Sequence, residues 1–180
     1  MVLKMTGANA GDASTLFASF PLIQGGVTGP VTTPSVMMIQ GTSDGLVRLP
    51  LDELDRLVRP LAKQLRTELI QAGLSAEPED LHLARIGTYI YDNSFELTEG
   101  AGIRDQVANN SLALIYVDRP GAIKGTLSIH ESESGDEIFY LFDLKMPAAG
   151  IHWVRFKTVD SKHTKVVIDD TPGTLVLSEN

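Results

Sequence analysis

The sequence predicts a mainly β protein, a β-sandwich or a curved antiparallel meander, with one amphipathic helix across it and α+β as the fallback. Three observations carry that prediction. Residues 122–158 read as three consecutive strands, the one long stripe at helical spacing lies at 51–72, and turn-forming residues punctuate the remainder.

Residues 1–50 differ in composition from the rest. Lys4, Asp12, Asp44 and Arg48 are their only charges, and Gly25, Gly26, Gly29, Pro30 and Pro34 break the middle. A strand is expected at 35–40. The segment is too apolar for a solvated tail, and a structureless stretch of that length is unusual within a domain. Two readings stay open: one or two strands wrapped on their own domain, or an extended N-terminal arm, partly strand, that docks on a neighbouring chain. In the arm reading Phe17, Phe20, Leu22, Ile23, Val36 and Met38 form the interface. Residues 51–180 then make a single β-rich domain, within the ~100–200 residues usual for one.

In the helix predicted over 51–72, Leu54, Leu57, Val58, Leu61, Leu65 and Leu69 keep three-and-four spacing. Asp52, Glu53 and Asp55 sit near its N-terminus, where carboxylates meet the positive end of the dipole. Gly73 stops it. Pro60 interrupts it, and a kinked helix is expected because the stripe continues past the proline. Leu61 and Leu65 are expected against a sheet face.

Residues 75–80 read as a loop, 81–91 as a strand with a bulge at Gly87, and 93–110 as a polar stretch jointed at Gly100 and Gly102. The apolar run 112–117 suggests a central strand covered on both faces. In the meander, pairing Ile129 with Ile138 sets Leu127 opposite Tyr140, Lys124 opposite Asp143 and Ile123 opposite Leu144. A second hairpin, folded at Ala148, sets Phe142 opposite Val154, Tyr140 opposite Phe156, Asp143 opposite Trp153 and Leu141 opposite Arg155. All parities agree, and a one-residue slip flips a strand. Residues 165–169 follow as a strand with Arg155 opposite Asp169, which avoids setting Lys157 against Lys165. A last short strand covers 175–177.

Composition excludes several chemistries. With no cysteine there is neither a disulfide nor a thiolate metal site. A net charge of −8 argues against a general nucleic-acid binder. No apolar run approaches the ~18–20 residues of a membrane span, and no signal peptide is visible, which leaves a cytoplasmic, virion or mature secreted form. The nucleophile-elbow, phosphate-loop and dinucleotide motifs are missing. Strand parity sets His130 and His152 on opposite faces, so they cannot share a metal ion within the sheet. No catalytic residue, metal ligand or cofactor is named.

One face keeps a functional reading. It sets Phe139, Leu141 and Trp153 among Lys124, Asp143 and Arg155. Either the helix or a second sheet covers it, or it is a binding surface on which an exposed Trp153 flanked by cations takes a protein partner or a sugar ring. The expected function is a non-catalytic structural or interaction protein, a shell, fibre or virion-like component, that forms a homo-oligomer through its arm or binds another protein. A small-ligand or carbohydrate-binding β module using the Trp153 face is the alternative, and a hydrolase with a hidden site the second.

Overall fold

The structure, a computed structural model, describes residues 1–6, 17–24, 31–62, 73–91, 97–108, 110–130, 136–169 and 172–179. The chain is mainly β, with one helix among the described residues. In order the elements are β1 (Val2–Thr6), β2 (Phe17–Gln24), β3 (Val31–Gln40), β4 (Leu46–Arg48), α1 (Leu51–Ala62), β5 (Leu74–Glu77), β6 (Leu83–Ile86) and β7 (Tyr89–Tyr91). They continue with β8 (Leu97–Asp105), β9 (Asn110–Val117), β10 (Gly121–His130), β11 (Glu137–Met146), β12 (Gly150–Thr158), β13 (His163–Ile168) and β14 (Leu175–Glu179).

The fourteen described strands join one sheet, ordered β4-β1-β14-β8-β7-β2-β6-β9-β12-β13-β11-β10-β5, with β3 added beside β2. The sheet branches at β9. One edge of β9 pairs with β12 from Ser111 to Val117. The other edge is shared: Asn110–Leu112 pair with β8, and Leu114–Val117 with β6. β6 and β7 run as one line broken at Gly87, whose N–H bonds the Pro21 carbonyl at 2.8 Å. This is the interruption the sequence placed there.

β9 separates two cores, as the continuous apolar run predicts. Leu112, Leu114 and Tyr116 enter one core with Leu3, Phe20, Leu54, Val58, Trp153 and Leu177. Ile115 and Val117 enter the other with Leu83, Ile123, Leu144, Val154 and Val166. α1 lies over the first core. Leu54 and Val58 are fully buried, and the helix packs on β3, β9 and β12. Leu61 is 39% exposed, against expectation: it follows the buried Leu54 and Val58 by seven and three residues but lies beyond the packed face. Leu65 and Leu69 lie outside the described residues, as does the helix beyond Ala62; Pro60 falls in its last described turn.

The first hairpin of the meander takes the predicted register at every position, including Lys124↔Asp143, Leu127↔Tyr140 and Ile129↔Ile138. The second does not form. β13 lies between β11 and β12, parallel to β11 and antiparallel to β12. Phe142 and Phe156 therefore flank Val166 instead of meeting across one ladder, and Trp153 pairs with Leu114 of β9. Side-chain parity cannot detect an inserted strand, because its residues repeat the same in-out alternation. The shared face itself is right. Val154 and Val166 are buried, with Tyr140, Phe142 and Phe156 packed against them, and the Tyr140 and Phe156 rings meet edge to face at 6.2 Å. The register of β12 with β13 sits two residues from the expected one, so Lys157 does face Lys165.

The described strands within residues 1–50 pair with strands of the same chain. β1 pairs with β14 and β4, and the N-terminal ammonium donates to the Leu49 carbonyl at 2.9 Å. Leu3, Ala18, Phe20, Val47 and Leu49 belong to the first core. These five side chains of the segment thus find cover within the chain. Residues 75–80 and 93–110 also correct the sequence reading. β5 pairs with β10, and β8 is a strand despite its glycines, since Ile103 is buried and its backbone pairs on both edges.

Gly125 has φ +136°, and a Cβ there would stand 2.5 Å from the Gly73 carbonyl oxygen. Gly125→Ala is therefore expected to unseat β5 from β10, read as faster amide exchange at 74–77. Phe20→Ala empties a fully buried position and should cost ~3–5 kcal/mol. An unchanged denaturant midpoint would return residues 17–24 to the status of a dispensable arm.

Candidate functional site

The clearest polar constellation gathers the end of β8, the residue after β13 and Arg155 of β12. Asp105 closes β8. The following turn folds back on its carboxylate, and Oδ1 accepts the Val107 and Ala108 N–H groups at 2.9 and 3.1 Å. Oδ2 accepts from Arg155 Nη2 at 2.8 Å. Asp169 follows β13, anchored by its N–H to the Trp153 carbonyl at 2.8 Å, and its Oδ2 takes both Nε and Nη2 of Arg155. Arg155 is 8% exposed and Asp105 4%. A buried guanidinium is tolerated when its fork is filled by carboxylates.

The electrostatics follow from these bonds. The Ala108 N–H and the Arg155 guanidinium, with the Val107 N–H, outweigh burial and hold the Asp105 carboxyl at about 2. Burial opposes the charge of Arg155, but bonds to Asp105 and Asp169 overcome it and keep its pKa above the ordinary value. Lys157, Asn110, Ala108, Val167 and Ile168 complete an open cleft of about 360 Å³. Chemically the cleft offers an Arg155 whose Nε and Nη2 are already taken by carboxylates.

The residues singled out on the mixed face divide into two groups. Trp153 is 4% exposed and belongs to the first core under α1, so it presents no ring to solvent; its Nε1 has no partner among the described residues. Arg155 is taken up in the clamp. Phe139 and Leu141 are half-buried, and Lys124 and Asp143 are exposed and directly opposite one another. These four remain together on the open half of the sheet, over β10, β11 and β13. Phe139 stacks on His163 with ring centroids 5.3 Å apart.

Of the interface residues, Phe20 is core, Phe17 and Val36 are half-buried and Met38 is 42% exposed. The side chains of Leu22 and Ile23 lie outside the described ones. Asp105 was missed because nothing in the sequence ties it to a residue fifty positions away. The single signal was Arg155 itself, a cation among core residues that must find acids. His152, buried, meets the Ala148 carbonyl through Nε2 at 2.8 Å. No group of three or more potential metal ligands gathers among the described residues, and no described helix is long and apolar enough to cross a membrane. In comparison with known proteins, no family model, no curated sequence and no solved structure matches the chain.

The clamp has a pH signature. A carboxyl depressed to about 2 contributes stability fully above its unfolded pKa, ~3.9, and loses it as pH falls through 2. The stability gap between wild type and Asp105→Asn should thus be constant near neutrality and shrink between pH 4 and pH 2. Denaturant midpoints at several pH values read this; a gap that stays constant down to pH 2 would be incompatible with the clamp. Arg155→Met should lower the midpoint at neutral pH more than either single Asp→Asn change, since it strands two carboxylates.

Proposed function

We propose that the protein is a non-catalytic structural or interaction protein that joins copies of itself, as in a shell or fibre component. The contact is edge to edge through β3, the folded counterpart of the arm. The observation that supports this reading is the character of the β2–β3 hairpin. Not one residue of Phe17–Gln24 or Val31–Gln40 is charged. β3 pairs with β2 alone among the described strands, which makes it an edge strand of the described sheet, and an edge strand can template another strand. Such edges are ordinarily guarded by lysine or other charges, and this one is not. Pro34 suits an edge position, where a missing N–H breaks no ladder.

Charge supports the same contact. Copies bearing −8 each repel, and a charge-free strand is where two can approach most closely. A second β3 laid antiparallel across a two-fold axis contacts the same patch on both copies. Met38, 42% exposed on β3, gains cover there.

Full-length protein measured by light scattering should have the mass of a dimer or a larger assembly. Met38→Lys, at an exposed edge position, should return it to a monomer with its thermal midpoint unchanged. A wild-type chain that stays monomeric at millimolar concentration would rule out the reading. Deleting residues 1–30 is no test, because it removes Leu3 and Phe20 from the core.

A further inference from the structure

A second surface, away from β3, carries an unneutralised pair of like charges. Lys157 of β12 and Lys165 of β13 are direct cross-strand partners. Residues so placed have Cβ atoms about 4.5–5.5 Å apart, and like charges there destabilise the sheet. Both side chains are exposed, and neither has a carboxylate within ion-pair distance among the described residues. Three acids near the strand ends are engaged elsewhere: Asp105 and Asp169 on Arg155, and Asp160 on the Lys162 and His163 N–H groups and the His163 ring. In a chain with 23 acidic and 15 basic residues, a cationic pair built into a ladder is a place where a bound anion relieves repulsion.

The ground beside the pair is apolar. On the β11 side Lys165 pairs with Leu141, and one step along the strands His163 pairs with Phe139, the two rings stacked. Leu141, Phe139 and His163 are half-buried, with no described element laid over them. Asp143, the acid on the other side of Leu141, sits opposite Lys124. A cationic pair flanked by an aliphatic side chain and an aromatic stack matches a molecule with an anionic head and an apolar or ring-shaped body.

We propose that Lys157 and Lys165 are the anion-binding head of a site for a small organic phosphate or carboxylate, whose body lies on Leu141 and the Phe139–His163 stack. The bound anion offsets the repulsion that the register imposes. The site is independent of the β3 edge and needs no second copy.

Titration of the full chain with phenyl phosphate, benzoate and inorganic phosphate at low ionic strength, followed by calorimetry, tests it. Phenyl phosphate should bind about tenfold tighter to wild type than to the Lys157→Gln, Lys165→Gln double variant. It should also bind tighter than inorganic phosphate, which has no body to lay on the stack, and binding should weaken with salt. If benzoate binds better than phenyl phosphate the natural head is a carboxylate, and if worse a phosphate; either order supports the site. Lys165→Glu provides a readout beyond binding. It replaces the like-charge pair by an opposite one, so its thermal midpoint should rise while anion binding is lost. Equal affinity of phenyl phosphate for wild type and the double variant overturns the proposal. So does the absence of binding by all three anions at millimolar concentration, or a Lys165→Glu variant that melts below wild type.

Discussion

The structure depends on β9 being apolar on both of its faces. A strand at the edge of a domain alternates apolar with polar, but β9 must bury Leu112, Leu114 and Tyr116 to one side and Ile115 and Val117 to the other. It also has both hydrogen-bonding edges filled, by β12 along its length and by β8 and β6 in turn. Every layer is fixed relative to this strand. α1 and the N-terminal strands cover its first face, and β10, β11 and β13 complete the core on its second. A central strand buried on both faces reads as a continuous apolar run, and 112–117 is the clearest such run in the chain.

That strand was legible for a physical reason that separates the readable parts of this fold from the unreadable ones. Local alternation encodes which face a residue occupies, so the β10–β11 register, Gly87 as an interruption and the shared face of Tyr140, Phe142, Val154 and Phe156 were all accessible. Alternation does not encode which strand lies alongside. β13 slides between β11 and β12 without changing any parity, so Trp153 pairs with Leu114 of β9 and not with Asp143, while its cover by the helix is one of the two readings the alternation allows. β8 was hidden for a different reason. Its glycines look like a joint, and its place in the sheet comes from pairing with β7, β9 and β14, none of which is local. The candidate site was half legible. Arg155 and Asp169 were paired from sequence, whereas Asp105 enters only through the long-range pairing of β8 with β9.

The Arg155 clamp shows how a long-range arrangement becomes specific. Two strand ends converge on one guanidinium, and each carboxylate is fixed before it meets the cation: Asp105 by the turn N–H groups, Asp169 by its own N–H on the Trp153 carbonyl. Prior fixing matters because a buried ion pair gains little if its members must be ordered for the purpose. Here the backbone has already ordered them, so the clamp holds the β8 turn against β12 and excludes arrangements in which a carboxylate is left unpaired. It is a device of registration, and the cleft beside it is a consequence.

Magnitudes explain why the sheet accepts Lys157 opposite Lys165. The alternative register, two residues away, sets Arg155 directly opposite Asp169 and separates the lysines. The observed one still keeps that ion pair, because Asp169 reaches Arg155 from just past the strand end. It places Val166 between Phe142 and Phe156, fully buried, a position worth roughly 1.5–3 kcal/mol for a valine. It also brings Tyr140 edge to face with Phe156, worth about 0.5–1.5 kcal/mol more. Repulsion between two exposed ammonium groups across a ladder costs only ~0.2–1 kcal/mol and is screened by salt. The apolar face therefore sets the register and the charged face inherits its consequences. A cationic pair on an otherwise acidic protein is thus imposed by the core on the opposite side of the same two strands, and any use made of that pair draws on electrostatic free energy that the packing of Val166 has already offset.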